Sequence, residues 1–375
     1  MMAGGMSLKT KTIADELSVR TRPSPLHRPL DKGRLECHAC GQRCPISPGF
    51  LGVCKVRFVR DGKLYAPYGY VNAAFSDPIE KKPFFHVFPG SSAFSFGMLG
   101  CNLHCAYCQN WRTTQALRDV RSTVEHVPVT PEELVTRAQL AGAKSIISTY
   151  NEPLITAEWA VAVFRQAKVK GLTTGFISNG NATHEVLEYI HPWVDLYKVD
   201  LKSFRDRHYR DLGARIGPIL DSIEQIYTMG FWLEIVTLVI PDFNDSDQEL
   251  RDMAEFISRI SPDIPWHVTA FHPDYRMPDT SRTPPETLLR AASIGRAAGL
   301  RYVYAGNLPG AAGDWENTRC PNCAALLVER RGYRILRNRL EAGRCPGCAT
   351  PIPGRWAATA GASADPTGLL HIRCG

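Results

Sequence analysis

Residues 100–111, GCNLHCAYCQNW, set Cys101, Cys105 and Cys108 in one loop with Cys-x3-Cys-x2-Cys spacing. A closed tetrahedral zinc site takes four protein ligands, so a run of three is one short. Three thiolates suit three corners of a four-iron, four-sulfur cube, whose remaining iron has no protein ligand and can bind a substrate. On spacing alone a zinc site and buried cysteines stay open as alternatives.

Two further groups can also bind metal. Cys320-x2-Cys323 and Cys345-x2-Cys348 stand 21 residues apart, the spacing of a zinc ribbon. AALLVERRGYRI between them reads as two short strands around Arg331-Gly332. Structural zinc, a rubredoxin-like iron and free thiols are the states open to this group. Cys37-x2-Cys40-x3-Cys44-x9-Cys54 is less regular, but Gly49 and Gly52 can bend the chain so that Cys54 returns to close a site. Zinc and an auxiliary cluster stand level there. Cys374 reads as a free thiol.

These thiols need a scaffold. The chain has 375 residues, 44% apolar and 22% charged, which is ordinary for a globular protein with a large core and small attached modules. The start, MMAGGMSLKTKTIADELSVR, lacks the apolar run of a secretion signal, and no segment approaches eighteen uncharged apolar residues. A cytoplasmic protein with no membrane span is expected, where tight CxxC spacings favour metal thiolates over disulfides. Net charge is +7, and residues 319–344 hold seven arginines against two glutamates. That face suits an acidic partner or nucleic acid, or is simply a solvated hairpin. With only Tyr333 among its arginines, it lacks the aromatic interleaving that base stacking prefers.

From 93 to 310, β-branched or aromatic runs alternate with amphipathic ones. Strands are expected at 93–96, 144–150, 173–178, 195–201, 232–240, 265–271 and 301–305. Helices are expected at 131–141, 155–170, 185–190, 218–229, 247–260 and 284–298. Thr130-Pro131 with Glu133 is a helix start. This alternation predicts an α/β fold with a parallel sheet, as a full or partial β/α barrel or as an open sheet. Either architecture places chemistry at the carboxyl ends of strands, and the three-cysteine loop follows the first one. Residues 1–33 are expected to be poorly ordered, 34–92 to form a cysteine-rich module, 317–354 a zinc-ribbon-like module and 355–375 a tail.

Cysteines so spaced on a β/α barrel resemble the radical S-adenosylmethionine (SAM) superfamily. Gly100-Cys101-Asn102 with Cys105, Tyr107, Cys108, Gln109 and Asn110 is similar to the glycyl-radical (pyruvate formate-lyase) activating enzymes. DPIEKKP (77–83), PGSSAFSFGMLGCN, TYNEP (149–153), VDLKSF (199–204), FHPDYRM (271–277), YVYAGN (302–307), CPNC and CPGC resemble the radical SAM member of the AmmeMemoRadiSam system. The resemblance implies a [4Fe-4S] cluster on Cys101, Cys105 and Cys108 whose open iron chelates SAM, and a 5′-deoxyadenosyl radical as the reagent. It implies Tyr107 beside the cluster and the adenine. Tyr150, Asn151 and Glu152 would meet the SAM amino group, where a carboxylate accepts a charge-assisted hydrogen bond. It puts Ser178, Asn179, Asp200 and Lys202 near the methionyl carboxylate and sulfonium, and Asn244 at the ribose. His272, after the sixth strand, is a further candidate to face the site. The activating enzymes often carry Asp two residues before the Asn that stands here as Asn179; here that position is Ile177, which weakens any cation site built on it.

Implied partners are a one-electron donor such as a flavodoxin or ferredoxin, and Memo-family and AMMECR1-family proteins. The leading reading is hydrogen abstraction from a partner protein or a substrate it presents. Radical modification of RNA or a small molecule is the alternative, and a metal-binding interaction protein without radical chemistry is the third.

Overall fold

The computed structural model describes residues 13–119, 125–308 and 310–357. The first twelve residues, the tail after 357 and Cys374 lie outside the described residues. The centre is an eight-strand sheet: β1 (Ala73–Pro78), β2 (Ser92–Gly97), β3 (Ser145–Ser148), β4 (Thr173–Ser178), β5 (Leu196–Asp200), β6 (Trp232–Val239), β7 (Trp266–Ala270) and β8 (Val303–Gly306). From β2 to β8 the strands run parallel and lie side by side in chain order. The helices that return the chain are α1 (Pro131–Leu140), α2 (Ala157–Val169), α3 (His184–Ile190), α4 (Asp206–Leu212), α5 (Ile216–Thr228), α6 (Asp247–Ile260) and α7 (Pro285–Ala297).

Local chemistry accounts for the boundaries. At α1 the Thr130 hydroxyl accepts from Glu133 N at 3.2 Å, and the Glu133 carboxylate accepts from Thr130 N at 2.7 Å. This closes the capping box that the sequence announces. The helix α4, not expected from sequence, buries His208, Tyr209 and Leu212 and stops at Gly213, whose φ is 88°. It is short and starts after Arg205, which makes no side-chain cap, so unlike α3, which the Thr183 hydroxyl caps, it has no start signal in the sequence. No described helix is long and apolar enough to cross a membrane.

Strand β1 was also missed, because it pairs antiparallel with β2 and has no crossover helix to mark it. It is one edge of the sheet and β8 is the other. Among the described residues no ladder joins them, so hydrogen bonding does not close the full barrel held open as one expectation. The C-terminal module packs on the β8 edge and reaches across to the cavity beside β1. The β8 residue Tyr304 bonds Thr318 at 2.8 Å, while Tyr333 shares a cavity wall with the β1 residue Asp77. Phe85, Tyr302 and Tyr304 belong to one apolar cluster with Leu327, Val328 and Ile335 of that module.

Three expectations change. Residues 13–33, expected to be poorly ordered, include a short helix and two strands that pair with Lys63–Pro67 and Leu35–Cys37. Their apolar Leu17 and Leu26 are buried, which composition rich in charge and proline conceals. Residues 73–78, counted by sequence with the cysteine-rich module, belong to the main sheet. Arg330 is not on a solvated arginine face. It is 4% exposed, donates to Phe85 O at 2.8 Å and Thr318 Oγ1 at 2.7 Å, and lies 4.4 Å from the Phe85 ring centroid.

Near the amino ends of the strands, Glu234 accepts from Phe85 N, His86 N, Trp232 Nε1 and His267 Nε2 at 2.7–3.0 Å. His86 touches Tyr304 Oη and Pro353 O at 2.7 Å each, so segment 82–88 joins sheet and C-terminal module. Burial pushes the His86 imidazole down to about 4. The unfolded chain therefore binds a proton that the folded chain refuses between an ordinary pKa of 6.5 and about 4. Stability is full above that window and falls as pH drops through it. The urea midpoint should decline from pH 6.5 to 4, and His86→Phe should flatten this decline; an equally steep decline in the variant would assign it to other groups.

Candidate functional site

The carboxyl ends of the parallel strands sit at one level. Ser148 of β3 stands opposite Phe96 of β2 and Phe176 of β4, and Asp200 of β5 opposite Val236 of β6. Gly97, Thr149 and the Ser178-Asn179 turn therefore rise together around a cavity of about 640 Å³. Cys101, Cys105 and Cys108 line it, with Tyr107, Tyr150, Asn151, Glu152, Ser178, Asn179, Asp200 and Lys202.

The cysteine loop is held from behind. Gly100 has φ 95°, and a Cβ there would stand 2.8 Å from Val56 Cγ1 and 3.1 Å from Cys54 O. Only glycine suits both the conformation and the space. Donors converge on the sulfurs: Leu103 N reaches Cys101 Sγ at 3.4 Å, and Thr114 Oγ1 lies 3.3 Å from Cys108 Sγ. The buried Asn102 Nδ2 beside Cys101 has no protein partner. Burial pushes the Cys105 thiol up to about 11, and the Lys202 ammonium works against that. Such thiols ionise when a metal displaces their protons, and the donor set suits thiolate ligands.

Tyr150 occupies the left-handed region at φ 71°, a strained choice for a non-glycine residue. Its hydroxyl meets Lys82 Nζ at 3.1 Å. Asn151 Oδ1 accepts from Met98 N at 2.9 Å and so ties β3 to the loop after β2. Glu152 is buried and accepts from Ser178 Oγ at 2.7 Å, Asn179 N at 2.8 Å and Leu154 N at 3.1 Å. Burial still pushes its carboxyl up to about 7. Asn179 Nδ2 in turn donates to Asn102 Oδ1 at 2.7 Å, linking the β4 turn to the cysteine loop. Asp200 pairs with Lys198 and, at 3.3 Å, with Lys202. Burial works to raise Asp200, but the two ammonium groups outweigh it and hold it at about 2.

Two expected residues lie outside the cavity lining. Asn244 is fully buried; its Nδ2 donates to Lys202 O at 2.8 Å and Leu238 O at 2.9 Å, and its Oδ1 accepts from Ile240 N at 2.7 Å. With both N–H groups engaged by the backbone it pins a loop, and no donor remains for a ribose. His272 is half-buried, with Nδ1 3.4 Å from Pro273 O.

A family model described as the Radical SAM superfamily matches residues 97–257, the segment that carries the cysteine loop and most of these strand ends. The chain belongs to the radical SAM superfamily. An uncharacterized protein of Methanocaldococcus jannaschii is 35% identical over 335 residues, covering 88% of this chain and 98% of that protein. A second protein of that organism, provisionally named a glycyl-radical enzyme activating enzyme, is 24% identical over 45% of this chain and 70% of its own length. The isethionate sulfite-lyase activating enzyme of Oleidesulfovibrio alaskensis is 24% identical over 44% of this chain and 55% of that enzyme. Membership makes this chain an enzyme and implies a four-iron cluster and SAM, for which the three thiols on the cavity wall are the fitting ligands.

This radical SAM chain lines its cavity with groups not assigned individually from sequence. Asp77, Lys81 and Lys82 come from the DPIEKKP segment, Lys198 from β5 and Tyr333 from the C-terminal hairpin. Asp77 accepts from both lysines at 2.8 Å. Two adjacent lysines before a proline were the available signal; Tyr333 had none, since it arrives through docking of a distant module. The C-terminal quartet gathers its four sulfurs within 4.8 Å, with Cys320–Cys348 at 3.5 Å and Cys323–Cys345 at 3.6 Å.

Glu152→Gln should weaken SAM binding tenfold or more, about 1.5–3 kcal/mol, by removing a charged acceptor. The urea midpoint should fall as well, because an amide cannot accept everywhere the carboxylate does. Unchanged SAM affinity with a lowered midpoint would restrict Glu152 to tying the loops.

Proposed function

We propose that this enzyme generates the SAM-derived radical to abstract hydrogen from a macromolecular partner or from a substrate that partner presents, as an activating enzyme does. When bound, the cluster supplies the electron that cleaves the sulfonium of SAM and yields the 5′-deoxyadenosyl radical. Cys101, Cys105 and Cys108 hold it, while Tyr107, Tyr150, Glu152, Ser178, Asn179, Asp200 and Lys202 position SAM. The observation that carries this reading is the extent of the cavity, which continues past the thiols to Asp77, Lys81, Lys82 and Tyr333.

Arg331 and Arg334 are exposed and flank the Gly332-Tyr333 turn of the hairpin formed by Leu326–Arg331 and Arg334–Asn338. The hairpin thus sets cations beside a cavity-lining tyrosine, an arrangement that favours an acidic partner. Its base is held by Cys320, Cys323, Cys345 and Cys348, read as a zinc site. A tetrahedron with Zn–S of about 2.3 Å has sulfur edges of about 3.8 Å, near the separations seen. The finer assignment, to the radical SAM member of the AmmeMemoRadiSam system with Memo-family or AMMECR1-family partners, rests on the sequence motifs.

Anaerobic incubation with SAM, dithionite and each candidate partner should give 5′-deoxyadenosine together with an organic radical or a modified product on one partner. Arg331→Glu with Arg334→Glu should leave uncoupled SAM cleavage intact and slow the coupled reaction about tenfold at low salt, less at high salt. Equal coupled rates at every ionic strength would remove the hairpin from recognition. Turnover of a free small molecule with no partner present would replace the partner reading.

A further inference from the structure

The N-terminal cysteines are not used by the reaction as described. Cys37, Cys40 and Cys54 are buried, Cys44 is half-buried, and all four are unpaired. They lie on Leu35–Cys37, on the turn after it, and on the loop that leaves Pro45–Ile46. The sulfurs are close enough that Cys40 interacts electrostatically with each of the other three.

Backbone N–H groups lie near these sulfurs, Ala39 by Cys37, Gln42 by Cys40 and Val53 by Cys44. The donor two residues after the cysteine recurs at Leu103 for Cys101, Ala325 for Cys323 and Thr350 for Cys348. A hydrogen bond to sulfur favours the thiolate and orients it as a ligand. Cysteines that only fill a core need no such donors.

Spacing separates the two quartets. The C-terminal sulfurs converge within 4.8 Å, the size of one ion. Among the described residues no other group does so, neither the radical loop nor any three of Cys37, Cys40, Cys44 and Cys54. A four-iron cube spreads its thiolates wider than a single zinc, so the N-terminal quartet groups with the radical loop. Four buried thiolates also need positive charge nearby. Arg57, 1% exposed and paired with Glu158 at 2.5 Å, interacts with both Cys37 and Cys54.

The quartet's loop and the radical loop pack as one unit. Arg118 Nη2 donates to Val53 O and, at 2.9 Å, to Cys101 O. Gln42 Nε2 donates to Asn102 O at 3.2 Å. We propose that Cys37, Cys40, Cys44 and Cys54 hold a second four-iron, four-sulfur cluster packed against the radical loop.

The test is iron, sulfide and zinc content of the full chain, reconstituted anaerobically, with electron paramagnetic resonance of the reduced protein. Wild type should carry about eight irons and about one zinc, and Cys40→Ala/Cys44→Ala about four irons with the zinc retained. Cys101→Ala/Cys105→Ala/Cys108→Ala, which leaves the quartet intact, should also keep about four irons and the signal of a reduced cube. If the quartet variant fails to fold, the radical-loop variant decides alone: four irons with that signal support the site, and an iron-free protein overturns it. A second zinc in wild type, lost from the quartet variant, would make the site mononuclear and also overturn it. Loss of iron from the quartet variant but none from the radical-loop variant would leave this site standing and remove the cluster assigned to Cys101, Cys105 and Cys108.

Discussion

Cys105→Ala should lower 5′-deoxyadenosine formation about a thousandfold or more, a loss of about 4 kcal/mol or more in transition-state stabilisation. Cys105 is the middle thiol of the loop, buried at 8% exposure, and the one on which Lys202 acts most directly. No neighbouring cysteine can replace it, because Cys101 and Cys108 each have their own donors and the loop behind them is packed on Gly100. The variant should keep its urea midpoint, since a small buried side chain at a cavity wall leaves little unfilled core. Deoxyadenosine produced at the wild-type rate would remove the three-thiol loop from the chemistry. Loss of activity with a collapsed midpoint would be uninformative on its own, and Cys105→Ser then supplies the near-isosteric comparison.

Glu234→Ala should be the most destabilising single change in the sheet, by about 3–5 kcal/mol, as when one partner of a buried charged network is removed. The carboxylate is fully buried and serves four donors from three segments. Alanine leaves those N–H groups in an apolar interior with no water to replace the lost acceptor. Segment 82–88 would lose its anchor, and Lys82, which it delivers to the cavity beside Tyr150, should loosen with it. Glu234→Gln keeps an acceptor oxygen and should fall between alanine and wild type. A urea midpoint shift equivalent to less than about 1 kcal/mol in the alanine variant would show that the segment is held by its apolar contacts instead.

Much of the site can be read from local chemistry. Cysteine spacing depends on a few successive residues, and β/α alternation puts functional groups after strands regardless of details. Tyr107, Tyr150 and Lys202 line the cavity because each follows a strand that the pattern reveals. Roles within the site are less legible. Asn151, Glu152 and Asn244 are polar residues after strands, yet all three spend hydrogen bonds on neighbouring backbone. A polar side chain at a strand end looks the same in sequence whether it faces a ligand or holds a loop.

The sequence by itself determined the metal-binding vocabulary, the parallel α/β plan and the end of the sheet where chemistry occurs, since short-range spacing and periodicity encode all three. Only the tertiary structure decided that β1 and the C-terminal module flank an unclosed sheet, that Arg330 is buried, and that Tyr333 reaches the cavity. The placement of the C-terminal module and of Arg330 depends on contacts between residues more than two hundred positions apart, such as Arg330 with Phe85 and Pro353 with His86, whereas β1 pairs with the nearby β2 and lacked only a helix to mark it. No local pattern records such a pairing, because each partner's sequence is compatible with a solvated surface until the other covers it.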